Sequence, residues 1–276
     1  MTDSWWLKVK RAQKHMVDIH AEARRYAERH PYEFVRIRRP DRHNDVRYRT
    51  RITEQPDPRI ALILGDFVHN LRSALDHVIV ASVPRKERNS ASFPIFFHDI
   101  LAKDADGQFV VDDPKMRENF ERSIRGLDPR ARAIVIQAQP YHRGPEAHRW
   151  ILGIISRLDN ADKHRALVTV GSGVRNLVAD VTIRGDTGKL PHHSFADNEF
   201  AKDDTVIGWE LPAAWRDGGP KPCEVDMEYS GTAVIHVKVT GLRGNEPLSD
   251  FPLSLTVLGA MRDVRRMLRL LEPFAI

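Results

Sequence analysis

The residues best suited to chemistry lie in one predicted helix that covers positions 59 to 82. Its polar residues form a line along the helix, which we call the polar stripe: Asp66, Asn70, Ser73 and His77, with His69, Arg72 and Asp76 on the adjoining strip. No lysine or glutamate occurs from 60 to 82, and Leu62 and Val80 continue the line at its ends. Because a solvated helix face normally carries long charged side chains, we expect this stripe to be enclosed and to face a polar counterpart.

Two interpretations of the polar stripe are open from the sequence. In the structural one, Asp66 or Asp76 neutralises Arg72, and a histidine donates to a carbonyl group. An unsatisfied buried polar group costs about 1 to 3 kcal/mol, so such a network would fix the packing of the helix. In the functional one, the same residues form part of an active site.

A second polar cluster ends another predicted helix, at residues 145 to 165. In the structural interpretation, Lys163 and His164 complement the helix dipole while Asp159 pairs with Lys163. The functional interpretation makes Asn160, Lys163 and His164 the counterpart of the polar stripe. It predicts that His77 and His164 approach one another.

These motifs resemble those of an uncharacterised family of bacterial proteins that carries no known activity. The resemblance covers about residues 60 to 170 and rests on four segments: GDFVHNLRSALDH (65–77), FPIF (93–96), QPY (139–141) and LDNADKHR (158–165). More distantly, the segment from Arg72 to His77 is similar to the arginine, four-to-six residues, histidine motif of the HEPN superfamily. Members of that superfamily are helical-bundle proteins and include metal-independent ribonucleases of toxin and defence systems.

The HEPN resemblance implies cleavage of an RNA phosphodiester with the 2′-hydroxyl as nucleophile. It makes His77 the general base or acid and Arg72 the group that holds the phosphate. The supporting residues would be Asp66, His69, Asn70, Asp76, Asn160, Lys163 and His164. Two such motifs usually meet across a dimer in that superfamily, which implies a homodimer here.

An arginine-rich hairpin is predicted at about 34 to 53, where FVRIRR and VRYRTRIT alternate apolar and basic residues around the turn DRHND. We expect one arginine-rich face, and these side chains could guide RNA through phosphate contacts: Arg36, Arg38, Arg47, Arg49 and Arg51. A solvated strand face is the simpler explanation.

Composition narrows the possible classes of protein. The chain has 276 residues, one cysteine and a net charge of +5, which permits contact with nucleic acid without demanding it. It has no disulfide framework, no HExxH or comparable metal-ligand motif and no nucleophile elbow. We therefore expect no metal or other cofactor, although a metal site built from Asp66, His69, His77 and His164 is conceivable. Without an apolar run of about 20 residues or a signal-like amino terminus, we expect a cytoplasmic protein that does not enter a membrane.

The predicted elements indicate an α+β fold, a helical bundle with an antiparallel sheet inserted before the C-terminal helix. Residues 1–165 form the helical region with the hairpin, 166–241 the sheet and 249–274 the returning helix. We expect one helix at 114 to 139 and a mobile loop at 185 to 204. The function is either that of a HEPN-like ribonuclease or that of a non-enzymatic binding module whose polar clusters are structural.

Overall fold

The computed structural model describes residues 3–37, 45–111, 113–163, 169–184, 193–197, 205–210, 224–239 and 249–276. It confirms the α+β class. The helices within these residues are α1 (Ser4–Glu28), α2 (Arg59–Ala81), α3 (Pro114–Ser123), α4 (Pro129–Gln137), α5 (Ile151–Lys163) and α6 (Leu253–Leu271). The strands are β1 (Tyr32–Ile37), β2 (Asp45–Ile52), β3 (Thr169–Arg184), β4 (His193–Asp197), β5 (Val206–Glu210), β6 (Glu224–Val239) and β7 (Ser249–Pro252). Short 3-10 helices cover Arg85–Glu87, Pro140–Arg149 and Glu272–Phe274.

Helix α2 lies at the centre of the bundle and packs against α5 and α6. Its apolar residues recur at helical spacing, and Leu64, Leu71 and Leu75 are completely buried. The helix starts after Pro58 and ends before Pro84, because proline cannot continue the helical hydrogen-bond ladder. This buried face fixes the rotation of α2 and therefore the direction in which the polar stripe points.

The single helix expected at 114 to 139 is wrong, since α3 and α4 are separate helices. Gly126 adopts a positive φ of 82°, which ends the first helical stretch. The Asp128 side chain then caps α4 by accepting from the Arg130 backbone N–H at 2.8 Å, and Pro129 occupies the first helical position. Glycine, aspartate and proline in this order were visible stop and start signals.

The strands form two sheets, one ordered β1–β2–β5 and the other β4–β3–β6–β7. The pairs β1–β2, β2–β5 and β3–β4 are antiparallel. Strands β3 and β6 are each 16 residues long and join runs that the sequence pattern had divided into two. Strand β4 lies inside the segment 185–204, so the expectation of a loop throughout it is wrong; the rest of that segment lies outside the described residues. Pairing of Val181 with His193 and of Leu177 with Asp197 explains how such a polar segment forms a strand.

The chain divides into two compact units. One comprises residues 1–20, 58–169 and 237–276, and the other comprises residues 21–57 and 170–236. The hairpin β1–β2 belongs to the second unit, where Tyr32, Phe34 and Ile52 pack against the buried Val174. The polar residues of α2 and α5 all belong to the first unit, which is therefore the unit that carries the candidate site.

Candidate functional site

Asp76 of α2 holds the FPIF segment at its first residue. Its Oδ1 accepts a hydrogen bond from the Phe93 backbone N–H at 2.9 Å and lies 3.2 Å from Nη2 of Arg72. The Arg72 side chain is only 17% exposed, and its Nη1 is buried without a hydrogen-bond partner among the described residues. The carboxylate thus joins a buried guanidinium to the backbone of a neighbouring segment.

Gln139, the first residue of the QPY motif, holds the other end of the same segment. Its Oε1 accepts from the Phe96 backbone N–H at 3.0 Å. Its Nε2 donates to the carbonyl oxygens of Pro94 and Val135, both at 2.9 Å. Because Gln139 is buried, all three hydrogen bonds are sheltered from water, and they make this residue a structural clamp.

The two polar clusters meet through His69 and Asp159. Nδ1 of His69 lies 3.1 Å from Oδ1 of Asp159. The histidine side chain is 52% exposed, whereas the aspartate side chain is only 3% exposed. The buried carboxylate therefore holds the half-exposed imidazole in one orientation.

The packing of α5 places Asp159 in this buried position. Ile155, one turn earlier on the helix, and Leu158, directly before the aspartate, are both buried. The helix that buries these apolar residues therefore brings the carboxylate up to α2, where His69 meets it. An ionised carboxylate can only accept, so the hydrogen bond places the imidazole proton on Nδ1 of neutral His69. Nε2 makes no hydrogen bond to any residue that the structure describes, and it can exchange a proton with a ligand.

His77 has a different neighbour. Its Nδ1 lies 3.0 Å from the hydroxyl oxygen of Ser4, near the start of α1. His69 and His77 are eight positions apart, about 12 Å along the helix axis, which is too far for one phosphodiester to contact both rings within a chain. The predicted approach of His77 to His164 is untested, because His164 lies outside the described residues.

The expectation that the polar stripe is enclosed is wrong at its amino-terminal end. Asp66 and His69 are exposed, and the side chain of Leu62 is 55% exposed. Asn70 is half-buried and uses its amide to donate to the Asp66 carbonyl oxygen at 2.7 Å. An apolar residue at the end of the line was a poor sign of burial, since single exposed leucines are common on protein surfaces.

The remaining residues of the second cluster are only partly described. Asn160 is half-buried, and Arg157 places its guanidinium carbon 5.0 Å from the centre of the Phe97 ring. The Lys163 backbone ends α5, but its side chain and all of His164 lie outside the described part of the chain.

The arginines of the hairpin do not share one face. Arg47, Arg49 and Arg51 stand opposite Ile37, Val35 and Glu33 in the strand register. Arg36 instead stands opposite Tyr48, and alternate strand positions point to opposite faces. Arg51 pairs with Glu33 at 3.2 Å, and Arg38 lies outside the described residues. Among the described residues the hairpin therefore has an arginine-rich face, as expected, formed by Arg47, Arg49 and Arg51, but Arg36 lies on the opposite side of the pleat.

Two residues at the site are not among those predicted from the sequence. The sequence pattern predicts that Asp159 pairs with Lys163, although its spacing of four from Ile155 places it beside the apolar face of α5. Gln139 was noticed only as part of a motif, but a glutamine directly before a proline at a helix end was a possible signal. Neither residue could be matched to its partner from the sequence, since the partners lie 90 and 43 residues away.

Tyr141, the last residue of the QPY motif, has a shifted ionisation. Burial raises the pKa of its phenol to about 12, and the negative charge of Asp99 adds to the effect. The phenol is thus kept neutral at all ordinary pH values, as expected of a residue with a packing role.

Within the described ranges, no three His, Cys, Asp or Glu side chains come together as a group that could hold a metal ion. In the same ranges, every helix is too short or too polar to cross a membrane.

Comparisons of the chain with protein-family models, with curated proteins and with solved structures find no significant match. The resemblance to the HEPN superfamily therefore stays a prediction.

Proposed function

We propose that the chain is a metal-independent ribonuclease in which His69, held by Asp159, is the acid–base residue, in place of the His77 that the HEPN resemblance implies. The observation that carries the proposal is the contact of 3.1 Å between Nδ1 of a half-exposed imidazole and a carboxylate that is almost fully buried. This arrangement fixes the ring and leaves Nε2 for proton transfer, as in other enzymes in which a carboxylate orients a histidine.

The reaction needs only groups of the protein and of RNA. Nε2 of His69 takes the proton of the 2′-hydroxyl, and the 2′-oxygen attacks the phosphorus atom. The bond to the 5′-oxygen breaks, and that oxygen leaves as a 5′-hydroxyl after it receives, through solvent water, the proton that His69 accepted. The other product carries a 2′,3′-cyclic phosphate.

In the proposal, Arg72 supports this site by holding neighbouring segments of the protein in position. Its contact with Asp76 at 3.2 Å and its low exposure make it a positioning residue for α2 and the FPIF segment. Lys163 and His164 follow Asp159 in the chain and remain candidates from the sequence for holding the phosphate; the Lys163 side chain and all of His164 lie outside the described residues. The HEPN resemblance had assigned phosphate binding to Arg72 and the acid–base role to His77.

A homodimer is part of the proposal. The exposed end of the polar stripe, with Asp66, His69 and the exposed Leu62, offers α2 a surface on which a second copy could dock. Light scattering after size exclusion should give twice the chain mass of 31.6 kDa. A mass of one chain at the concentration used for RNA cleavage would remove the dimer from the proposal.

The test uses RNA and its 2′-O-methyl analogue in the presence of EDTA. The wild-type protein should cut the RNA and leave the analogue intact, because the methyl group removes the nucleophile. A folded His69→Gln variant, which keeps the side-chain size and a hydrogen-bonding amide, should lose the activity. Cleavage of both substrates, or equal cleavage by the variant, would contradict the proposal.

A non-enzymatic binding module is the second candidate. It is supported by the hydrogen bonds from the FPIF segment to Asp76 and Gln139, in which polar residues of the motifs bind backbone groups of the protein itself. In that case the contact with His69 serves to hold the buried Asp159 carboxylate in place. The His69→Gln variant would then unfold more easily, and no RNA would be cut by the wild-type protein.

A further inference from the structure

A groove lies beside α6 in the first unit. Its volume is about 710 Å³, within the usual range for ligand sites, and α4, the 3-10 helix Pro140–Arg149, the start of α5 and α6 line it. The polar lining includes Arg143, Arg262 and Arg266, and Trp150 borders the same space. The floor is apolar and includes Ile151 and Leu152.

The groove continues around α6 into a second depression of about 570 Å³. The two share Arg262, Arg266 and Leu270, and the second one adds Arg265 and Arg269. Positions 262, 266 and 269 follow helical spacing, so these guanidinium groups extend along one side of the helix for about 10 Å. The arginines thus form a line, which suits an extended ligand better than a compact one.

The charge of this line is strongly positive. Helix α6 contains one acidic residue, Asp263, and its carboxylate is 2.7 Å from Nε of Arg262. The exposed Arg266 and Arg269 make no hydrogen bond or ion pair with any described residue. Both can therefore bind an anionic ligand without losing an existing partner, and guanidinium groups suit phosphate oxygens.

An aromatic platform lines the same groove as Arg262 and Arg266. The guanidinium carbon of Arg143 is 4.1 Å from the centre of the Trp150 ring, and the indole is half-buried. Unpaired bases stack on tryptophan and arginine, and proteins that bind single strands combine such stacking with a positive groove. An acidic peptide would complement the arginines but would have no use for the platform.

We propose that this groove binds single-stranded RNA, with phosphates along Arg262, Arg266 and Arg269 and a base against Trp150 and Arg143. The proposal rests on the ribonuclease function and names the path of its substrate. Helix α5 links the two sites, since Leu152 lines the groove and Asp159 holds His69, about 10 Å further along the helix axis.

The test measures RNA binding apart from RNA cleavage. The probe is a fluorescein-labelled 12-nucleotide RNA, and its anisotropy is titrated with His69→Ala protein at several salt concentrations so that no strand is cut. Adding Arg266→Ala should weaken binding about tenfold at low salt and reduce the slope of log K against log salt by about 0.7. Adding Trp150→Leu should weaken binding about tenfold with an unchanged slope, and Trp150→Phe should keep most of the affinity. Arg85→Ala, an exposed arginine that lines neither depression, is the matched control and should change nothing.

The result that overturns the proposal is equal binding by the parent, the Arg266→Ala form and the Trp150→Leu form. Equal affinity for a duplex of the same sequence, or displacement of the RNA by a short polyglutamate, would also overturn it. The two proposals can fail separately. If wild type cuts RNA but the groove variants bind it normally, the groove assignment is wrong; if the groove variants lose binding but wild type cuts nothing, the ribonuclease is wrong.

Discussion

The Phe93 backbone N–H donates to Oδ1 of Asp76 at 2.9 Å, although the two residues are 17 positions apart. The same carboxylate pairs with Arg72, so one polar residue of α2 fixes both a buried cation and the start of the FPIF segment. Gln139 fixes the end of that segment. Three of the four motifs are therefore joined by hydrogen bonds, and the fourth joins them through Asp159 and His69.

The Asp76 contact should be costly to remove. Asp76→Ala leaves the Arg72 guanidinium and the Phe93 N–H without their acceptor, and we expect the free energy of unfolding to fall by about 2 kcal/mol. Asp76→Asn retains an acceptor for Phe93 but loses the ion pair, so it should cost about 1 kcal/mol. Urea unfolding measures both. Equal stability of the alanine variant and the wild type would show that this contact is not formed.

The Gln139 clamp gives a second stability test. Gln139→Met fills a similar volume but removes three buried hydrogen bonds, and it should cost about 3 kcal/mol. Gln137→Met, two residues earlier on an exposed position, is the control and should change stability by less than about 0.5 kcal/mol. Thermal unfolding of the two variants side by side measures the difference; similar melting temperatures would speak against a buried clamp.

Replacement of two helical glycines by alanine should change the stability of the protein in opposite directions. A Cβ on Gly153 would lie 2.8 Å from the Ala147 carbonyl oxygen and 2.8 Å from a Phe97 ring carbon, so Gly153→Ala should destabilise the protein by about 2 kcal/mol. At Gly259 the nearest side-chain atom would be 3.6 Å away, an ordinary contact. Gly259→Ala should therefore stabilise α6 by about 0.5 to 1 kcal/mol. Chemical denaturation measures the free energy of unfolding of both variants. A more stable Gly153→Ala variant would refute the close packing around position 153.

The raised pKa of the Tyr141 phenol predicts that the folded state loses stability in alkali. The phenol of the unfolded chain ionises near the ordinary tyrosine pKa of 10.0, whereas burial raises the pKa of the folded phenol to about 12. Between these values the folded state binds more protons than the unfolded state, so stability falls as pH rises. Tyr141→Phe removes this contribution. The stability of wild type relative to the variant should decline from about pH 10 to about pH 12, and a constant difference would show that the phenol is not shielded.

The sequence predicted local features better than distances between them. Regular apolar spacing located α2 and its buried face, and the change to alternating residues predicted the sheets. The pairing of His69 with Asp159 was not predictable, because it depends on how α2 and α5 rotate and shift when they pack. Gly126 and Asp128, which separate α3 from α4, are helix stop and start signals that the sequence contains. The helical composition on both sides nevertheless favours a single helix. Arg36 and Arg47 lie on opposite faces of the sheet because of the strand register, and a slip of one residue would place them on the same face.

In the proposed ribonuclease, His69 rather than His77 performs the chemistry. The test compares the rates at which wild type, His69→Ala and His77→Ala cut a labelled RNA in EDTA, with circular dichroism to verify that all three are folded. We expect His69→Ala to lower the rate at least about 100-fold, as when a general base is removed, and His77→Ala to lower it less than about fivefold. Full activity in His69→Ala, or its loss in His77→Ala alone, would exclude His69 as the acid–base residue.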